Sequence, residues 1–362
     1  MIDNLPHEGL LADLFRYVGL LAPPYSSSPS CVPPTLSSYA FIISLLFQSA
    51  LLHPSFKSNS EARLARFSLM IPNLYWSLRF PFRNCYAPLA SKGSANMTLA
   101  AVAAYFSMKS IEWGCTSGPY HSRDLKNING VKQWTSSEAD SKGAQKNQAH
   151  IEEKGLMSWT ISHFLSLRGH EFSWGPDALA NQLSPSQLFV KIIKFHFIMR
   201  PALALVILAR DSKDQSLKPS VLSSGIPDFP GLGLILTSLL NLSFGLLGYG
   251  CLELAGSCIT LFAYAIYNLS QALRLPNSFR EFFNPELYPP INRPVFQSTS
   301  LSHFWGKAWH QNLRRCFLVC GGKPARWLAA QLGLGPNSIK TFGLFGAFAA
   351  SAALHEYCDV IL

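Results

Sequence analysis

Residues 231–273 read GLGLILTSLLNLSFGLLGYGCLELAGSCITLFAYAIYNLSQAL. Two apolar runs lie within it, Gly231 to Gly248 and Leu254 to Leu273. Each is close to the roughly 20 residues that a helix needs to cross the hydrocarbon core of a bilayer. Gly245, Gly248, Gly250, Ala255 and Gly256 gather around their junction. That pattern predicts two spans joined by a tight glycine-rich hairpin, with small residues letting the helices approach closely. The fold class that follows is an all-α, polytopic integral membrane protein. Composition points the same way. The 362 residues are 48% hydrophobic and only 14% charged, against roughly 25% charged in soluble domains, and mean hydropathy is +0.16.

Upstream of this stretch, Val190 to Ala209 reads as a span in which Arg200-Pro201 introduces a kink. Thr35 to His53 reads as a clean span, and Phe67 to Phe80, broken by Pro72, as a half-span or surface helix. Met97 to Met108 reads as a helix. Gly9 to Ala22, interrupted by Asp13 and Arg16, is short for a crossing. Residues 116–155 are dominated by Ser, Gly, Lys, Asn, Gln, Asp and Glu. A stretch of that composition buries too little apolar surface to order itself, so a variable or disordered loop is expected. Leu156 to Arg168 reads as a short amphipathic helix. Three regions follow: N-terminal membrane helices over 1–115, the polar loop over 116–155, and a third region over 156–362.

Downstream, residues 274–340 hold nine cations against two acids, Glu281 and Glu286. The positive-inside bias puts this segment in the cytosol, although Lys191 and Lys194 then fall on the opposite face. Thr341 to Leu362 reads as a final span. The net charge of +10 suits cytosolic loops and anionic lipid headgroups. Nucleic acid is excluded as a partner, because neither zinc-finger spacing nor an RNA-binding aromatic signature is present. The eight cysteines are scattered without a CxxC pair, so small buried hydrophobes are expected rather than a metal site or disulfide framework. No repeat of fixed period appears, which argues against a transporter.

Two features carry chemistry. The segment Ser302-His303-Phe304-Trp305-Gly306-Lys307-Ala308-Trp309-His310-Gln311-Asn312-Leu313-Arg314-Arg315 packs aromatic rings, histidines and cations together. If it is helical, Phe304, Lys307 and Gln311 share one face and Trp305, Trp309 and Asn312 another. Such a segment either anchors at the membrane surface or grips a nucleotide-bearing donor, with Lys307, Arg314 and Arg315 on phosphates and rings stacked on the base. The second feature is Leu354-His355-Glu356-Tyr357. Fifteen residues beyond Lys340, at about 1.5 Å each, His355 lies about 22 Å along a helix. That depth predicts an imidazole buried in the bilayer, where the neutral, proton-accepting form is favoured. Both a packing role and a general-base role fit this position.

Phe304-Trp305-Gly306-Lys307-x-Trp309-His310-Gln311, followed by an apolar helix with Leu354-His355-Glu356-Tyr357, resembles the wax-synthase branch of the membrane-bound O-acyltransferases. The His310-Gln311 form is most similar to fungal members of terpenoid and meroterpenoid biosynthesis. Arg168-Gly169 and the stretch from Asn284-Pro285 to Pro294-Val295-Phe296 resemble further parts of the pattern. The resemblance implies helices enclosing an intramembrane reaction chamber, in a multi-pass protein of the endoplasmic reticulum. It implies acyl-CoA, acetyl-CoA above all, as co-substrate, a lipophilic alcohol as acceptor, and no bound cofactor or metal. His355 would be the general base and His310 would bind or polarise the acyl group. Phe304, Trp305, Lys307, Trp309, Gln311, Arg314 and Arg315 would bind substrate. A long-chain alcohol or sterol acyltransferase, or an inactive or transporter-like membrane protein, is the alternative. Relatives continue with further membrane helices where this chain ends seven residues after His355, so 156–362 is expected to be a C-terminally shortened acyltransferase region.

Overall fold

The computed structural model describes residues 32–56, 59–86, 89–123, 125–128, 131–134, 155–176, 178–212, 214, 216–292, 295–300, 303–309 and 311–359. In chain order its main elements are α1 (Phe41–Ala50), α2 (Ser60–Arg83), α3 (Leu89–Cys115), β1 (Leu125–Ile128), β2 (Val131–Trp134), α4 (Leu156–Leu165), β3 (Ala178–Leu179), α5 (Pro185–Arg210), α6 (Leu232–Ala272), α7 (Lys323–Gln331) and α8 (Pro336–Asp359). Two compact units share them. The first draws on residues within 1–124, 136–176 and 310–362, the second on residues within 125–135 and 177–309.

In the first unit, buried polar side chains tie α1, α2 and α3 together. The Gln48 amide, fully buried, donates to the carbonyls of Arg66 and Ser110 and accepts from Asn73 and the Ser110 hydroxyl. Every hydrogen-bonding position of that amide is thereby used, which is what makes its burial tolerable. Arg66 donates to the carbonyls of Leu51, Trp113 and Thr116 at 2.9–3.1 Å. These are unpaired carbonyls at the C-terminal ends of α1 and α3, and a guanidinium is well matched to that end of the helix dipole. Pro72 and Pro81 lie inside α2, which runs through the position where the sequence suggested a break.

The C-terminal part of this unit is held by close backbone approach. A π turn, Leu318–Gly322, leads into α7, and α8 folds back over both. A Cβ added at Gly321 would lie 1.9 Å from the Gly346 carbonyl oxygen, and one at Gly346 only 2.4 Å from the Gly321 oxygen. Backbone meets backbone here, so any side chain would force the elements apart. Further along α8, Leu354, Tyr357 and Cys358 share the buried face and pack with Ala104, Tyr105 and Met108 of α3. The Tyr357 hydroxyl donates to the Leu78 carbonyl at 2.7 Å.

The second unit contains α5, α6 and a three-stranded antiparallel sheet of order β1-β2-β3. Ser184 caps α5 through a reciprocal capping box with Gln187, with Pro185 in the first turn. Helix α6 is continuous over 41 residues, so the expected two-span hairpin is corrected to one long helix. The glycines serve contact rather than a turn. A Cβ at Gly250 would collide with the Met199 side chain at 2.4 Å, and one at Gly256 with Ile291 at 2.7 Å. Among the described helices, α5 and α6 are long and apolar enough to cross a membrane. Phe197, Leu234, Leu242 and Phe262 are each more than half exposed on them, an outer surface suited to lipid rather than water.

Other expectations also change. The stretch from Thr35 to His53 holds a 3-10 turn and the ten-residue α1, too short for a crossing. Part of the polar loop 116–155 is ordered as β1 and β2. Cys85 forms a disulfide, and Cys115, Cys251 and Cys258 are exposed, so the cysteines are not uniformly buried hydrophobes. The first expected helix, residues 9–22, lies outside the described residues.

Candidate active site

Phe304–Ala308 forms a π turn, closed by the Trp309 amide donating to the Phe304 carbonyl at 2.8 Å. The backbone turns extended at Trp309. The two helical faces expected from the sequence therefore do not form. In a π turn residues five apart are brought together, and Phe304 and Trp309 stack at 6.1 Å between centroids with 11° between planes. Trp305 meets Phe304 edge-on at 5.3 Å, and Tyr249 of α6 lies 6.2 Å from Trp309. This cluster belongs to the second unit. Lys307 is exposed beside it. His310 lies outside the described residues.

Gln311, Arg314, Arg315 and His355 belong to the first unit. Arg314 is exposed. Arg315 is committed within the protein. Its Nε donates to Glu112, its Nη1 to the Trp174 carbonyl at 3.1 Å and its Nη2 to the Tyr120 hydroxyl at 3.0 Å. Glu112 also accepts from Lys109 and from Tyr120, at 3.1 and 3.0 Å. Lys109 and Glu112 are each 1% exposed. Both cations lie against the Trp174 ring, Lys109 at 4.1 Å and Arg315 at 4.7 Å from its centroid. A buried carboxylate with two cations and an aromatic face is stable because each charge has a partner.

The upstream Arg168-Gly169 pair explains how Trp174 reaches this position. Gly169 has φ +65°, and a Cβ there would lie 2.3 Å from the Trp174 ring. Only a glycine both adopts that backbone and leaves the ring its space. Arg315, read from sequence as a phosphate ligand, is thus itself fastened to α3 and to the loop after α4.

His355 is exposed on the surface of the protein. Leu354, Tyr357 and Cys358 occupy the packed face of α8, and position 355 points away from that face by helical geometry. His196 and Arg200, considered as chamber-lining residues, are exposed on α5 and bond to each other.

The deeply buried imidazole is instead His163. Its Nδ1 lies 2.7 Å from the Ser49 hydroxyl, and its ring stacks on Trp159 at 4.8 Å. Burial, with the charge of Lys109 adding to it, pushes this ring down to about 3. Burial opposes the charge on Glu112, but Lys109 and Arg315 prevail and hold it at about 2. An unfolded chain binds a proton on histidine below about 6.5 and on glutamate below about 4.3. Both groups therefore give the fold its full stability at neutral pH and withdraw it in acid. His163 acts as pH falls from about 6.5 toward 3, and Glu112 acts below that start. Between pH 6 and 4, His163 is expected to remove about 1.4 kcal/mol per pH unit. Thermal melts in detergent check this. His163→Phe should flatten the slope, and a wild-type midpoint constant over that range would refute it.

Lys109, Glu112, Tyr120, Trp174 and His163 were not singled out from the sequence. The available signal was the pair Lys109 and Glu112, one helical turn apart at the end of an apolar helix. Among the described residues no group of three or more His, Cys, Asp or Glu is arranged to hold a metal ion.

Comparison with known proteins bears on the same C-terminal segment. Residues 288–362 match the model of the family described as membrane bound O-acyl transferase. An acetyltransferase of Arthrobotrys oligospora is 31% identical over 96 residues, which cover 25% of this chain and 20% of that protein. An acetyltransferase of Rhodocybe pseudopiperita is 28% identical over 111 residues, 28% of each chain. The matched stretches thus span between a fifth and under a third of these relatives' lengths. No solved structure matches the chain. The family match contains the stacked Phe304–Trp309 turn, the committed Arg315 and the exposed His355, and through this segment the chain is similar to the membrane-bound O-acyltransferase family.

Proposed function

We propose that this protein is an O-acetyltransferase that moves an acetyl group from acetyl-CoA to a hydroxyl of a lipophilic terpenoid or meroterpenoid, with residues 156–362 as its acyltransferase region. The observation that carries the reading is the exposed position of His355 on α8, next to Leu354, Tyr357 and Cys358 of that helix's buried face. An imidazole open to an incoming substrate can take a proton, and a packing histidine has no reason to face outward. In the proposed step the acceptor oxygen bonds to the thioester carbonyl carbon while His355 takes the hydroxyl proton. The carbon–sulfur bond breaks, the sulfur leaves as thiolate, and the proton returns to it. The products are the acetyl ester and free CoA.

His310 is assigned to the acyl carbonyl. Phe304, Trp305 and Trp309 offer ring faces for the adenine, with Gln311 beside them in sequence. Lys307 and Arg314, both exposed, are assigned to the donor phosphates. Helices enclosing an intramembrane reaction chamber, open to CoA from the cytosol and to the alcohol from lipid, are part of the same proposal. So is a multi-pass location in the endoplasmic reticulum.

Lys307→Glu is expected to raise KM for acetyl-CoA about tenfold with little change in kcat, because an exposed charge that binds donor and transition state alike changes binding only. Microsomes carrying the protein, fed labelled acetyl-CoA and a terpenoid alcohol, measure it. An unchanged KM would return Lys307 to membrane anchoring. Palmitoyl-CoA used in preference to acetyl-CoA in the same assay would replace the acetyl donor with a long-chain one.

A further inference from the structure

Helix α6 carries one ionised side chain along its 41 residues, Glu253. It lies 21 residues past Leu232, about 32 Å along the axis, near the middle of a helix long and apolar enough to cross a membrane. Its side chain is 3% exposed and pairs with Lys191 of α5 at 2.5 Å. Asn292 donates its amide to the other carboxylate oxygen at 3.1 Å. Within a bilayer an ion pair between two such helices is costly, and an ionisable group placed there is by default a candidate for a substrate or ion site.

The pair lines a small half-open recess, with Ser257, Thr260, Tyr288 and Ile291 around it. The hydroxyls there have spent their hydrogens. Ser257 donates to the Glu253 carbonyl, Thr260 to the Gly256 carbonyl and Tyr288 to the Phe282 carbonyl. What they offer a visitor is lone pairs. Asn292, 6% exposed, is oriented by the carboxylate, and its Oδ1 has no donor among the described residues. The surroundings are thus rich in acceptors, and the side-chain donors among them are the Lys191 ammonium, which is 23% exposed, and the Asn181 amide, which already donates to the Leu183 carbonyl. Lys191 and Glu253 neutralise each other, so the recess has no net charge with which to select an ion.

We propose that this recess binds the hydroxyl group of a membrane-dissolved alcohol. A hydroxyl is the group that fits, since it gives a hydrogen to an acceptor-lined wall and accepts one from an ammonium. The recess is too small for a whole lipid and takes only its polar head, while the apolar body lies along the exposed face of α5 and α6. Two sources share this chemistry: an alcohol undergoing acyl transfer, and a sterol of the surrounding bilayer.

The test uses the full chain in proteoliposomes with four diazirine probes: a photoreactive terpenol, a photoreactive sterol, and the O-methyl ether of each. Cross-linked peptides are mapped by mass spectrometry. At least one free alcohol should label residues 185–210 and 232–272 tenfold more strongly than its ether. Whichever alcohol does so identifies the source. Lys191→Met with Glu253→Gln, which keeps the site neutral, should lower that labelling tenfold, and Thr260→Val should lower it in a helix left intact. Equal labelling by alcohol and ether in the wild-type protein overturns the proposal, whatever the variants do. Labelling that persists in folded Thr260→Val and in the folded double variant also overturns it. The recess stands apart from acyl transfer. Alcohol-specific labelling without ester formation would keep the recess and remove the transferase reading, and ester formation without labelling would do the reverse.

Discussion

Replacing His355 with Ala is expected to lower ester formation by a factor of about 100 to 10,000, the range supplied by a positioned general base. The loss should fall on kcat, because the imidazole acts as the hydroxyl proton leaves and contributes little to holding either substrate. The variant should remain folded. His355 is exposed, and substitutions away from buried networks usually change stability by less than about 0.5 kcal/mol. A melting midpoint near wild type, beside a collapsed rate, separates chemistry from folding. If activity survives, His355 is not the base. The exposed position of the ring is what makes this experiment clean, whereas a buried histidine would confound the two effects.

Removing Glu112 is expected to have the largest effect on stability. Glu112→Ala leaves the buried Lys109 and the partly buried Arg315 without their carboxylate. Breaking such a pair from one side costs about 3–5 kcal/mol, against a typical total stability of about 5–15 kcal/mol. Little folded protein should be recovered in detergent. The contrast that isolates charge from volume is the triple change Lys109→Met, Glu112→Leu and Arg315→Met. It removes every charge together and should regain much of the lost stability. A Glu112→Ala protein that melts with the wild type would show that Arg315 is held by something other than this network. Arg315 fastens the start of the C-terminal part of the first unit to α3.

The apolar helix α5 and the motif-bearing segment were legible because they rest on a long apolar run and on residue order, and α8 was legible as a helix although it is not among those apolar enough to cross a membrane. Other features depend on tertiary geometry and were not. Gly245, Gly248 and Gly250 in a row carry the same local signal whether they turn a hairpin or admit a neighbouring side chain. Only the presence of Met199 against Gly250 decides between them. The π turn at Phe304–Ala308 pairs Phe304 with Trp309, a spacing of five that neither helical nor strand periodicity anticipates. The depth of His355 was inferred from distance along a helix, which fixes height but not which way the ring points. Lys109 and Glu112 were legible as residues but not as a site, because their partners Arg315, Tyr120 and Trp174 are scattered along the chain.

The central claim is that acetyl-CoA and a membrane-dissolved alcohol react on this protein without a further reagent. Purified chain in proteoliposomes, given acetyl-labelled acetyl-CoA and a terpenoid alcohol, measures it through two products at once. The account predicts labelled ester and free CoA appearing in equal amounts, both dependent on the alcohol. Free CoA with labelled acetate and no ester, or no consumption of the thioester by folded protein, would contradict it.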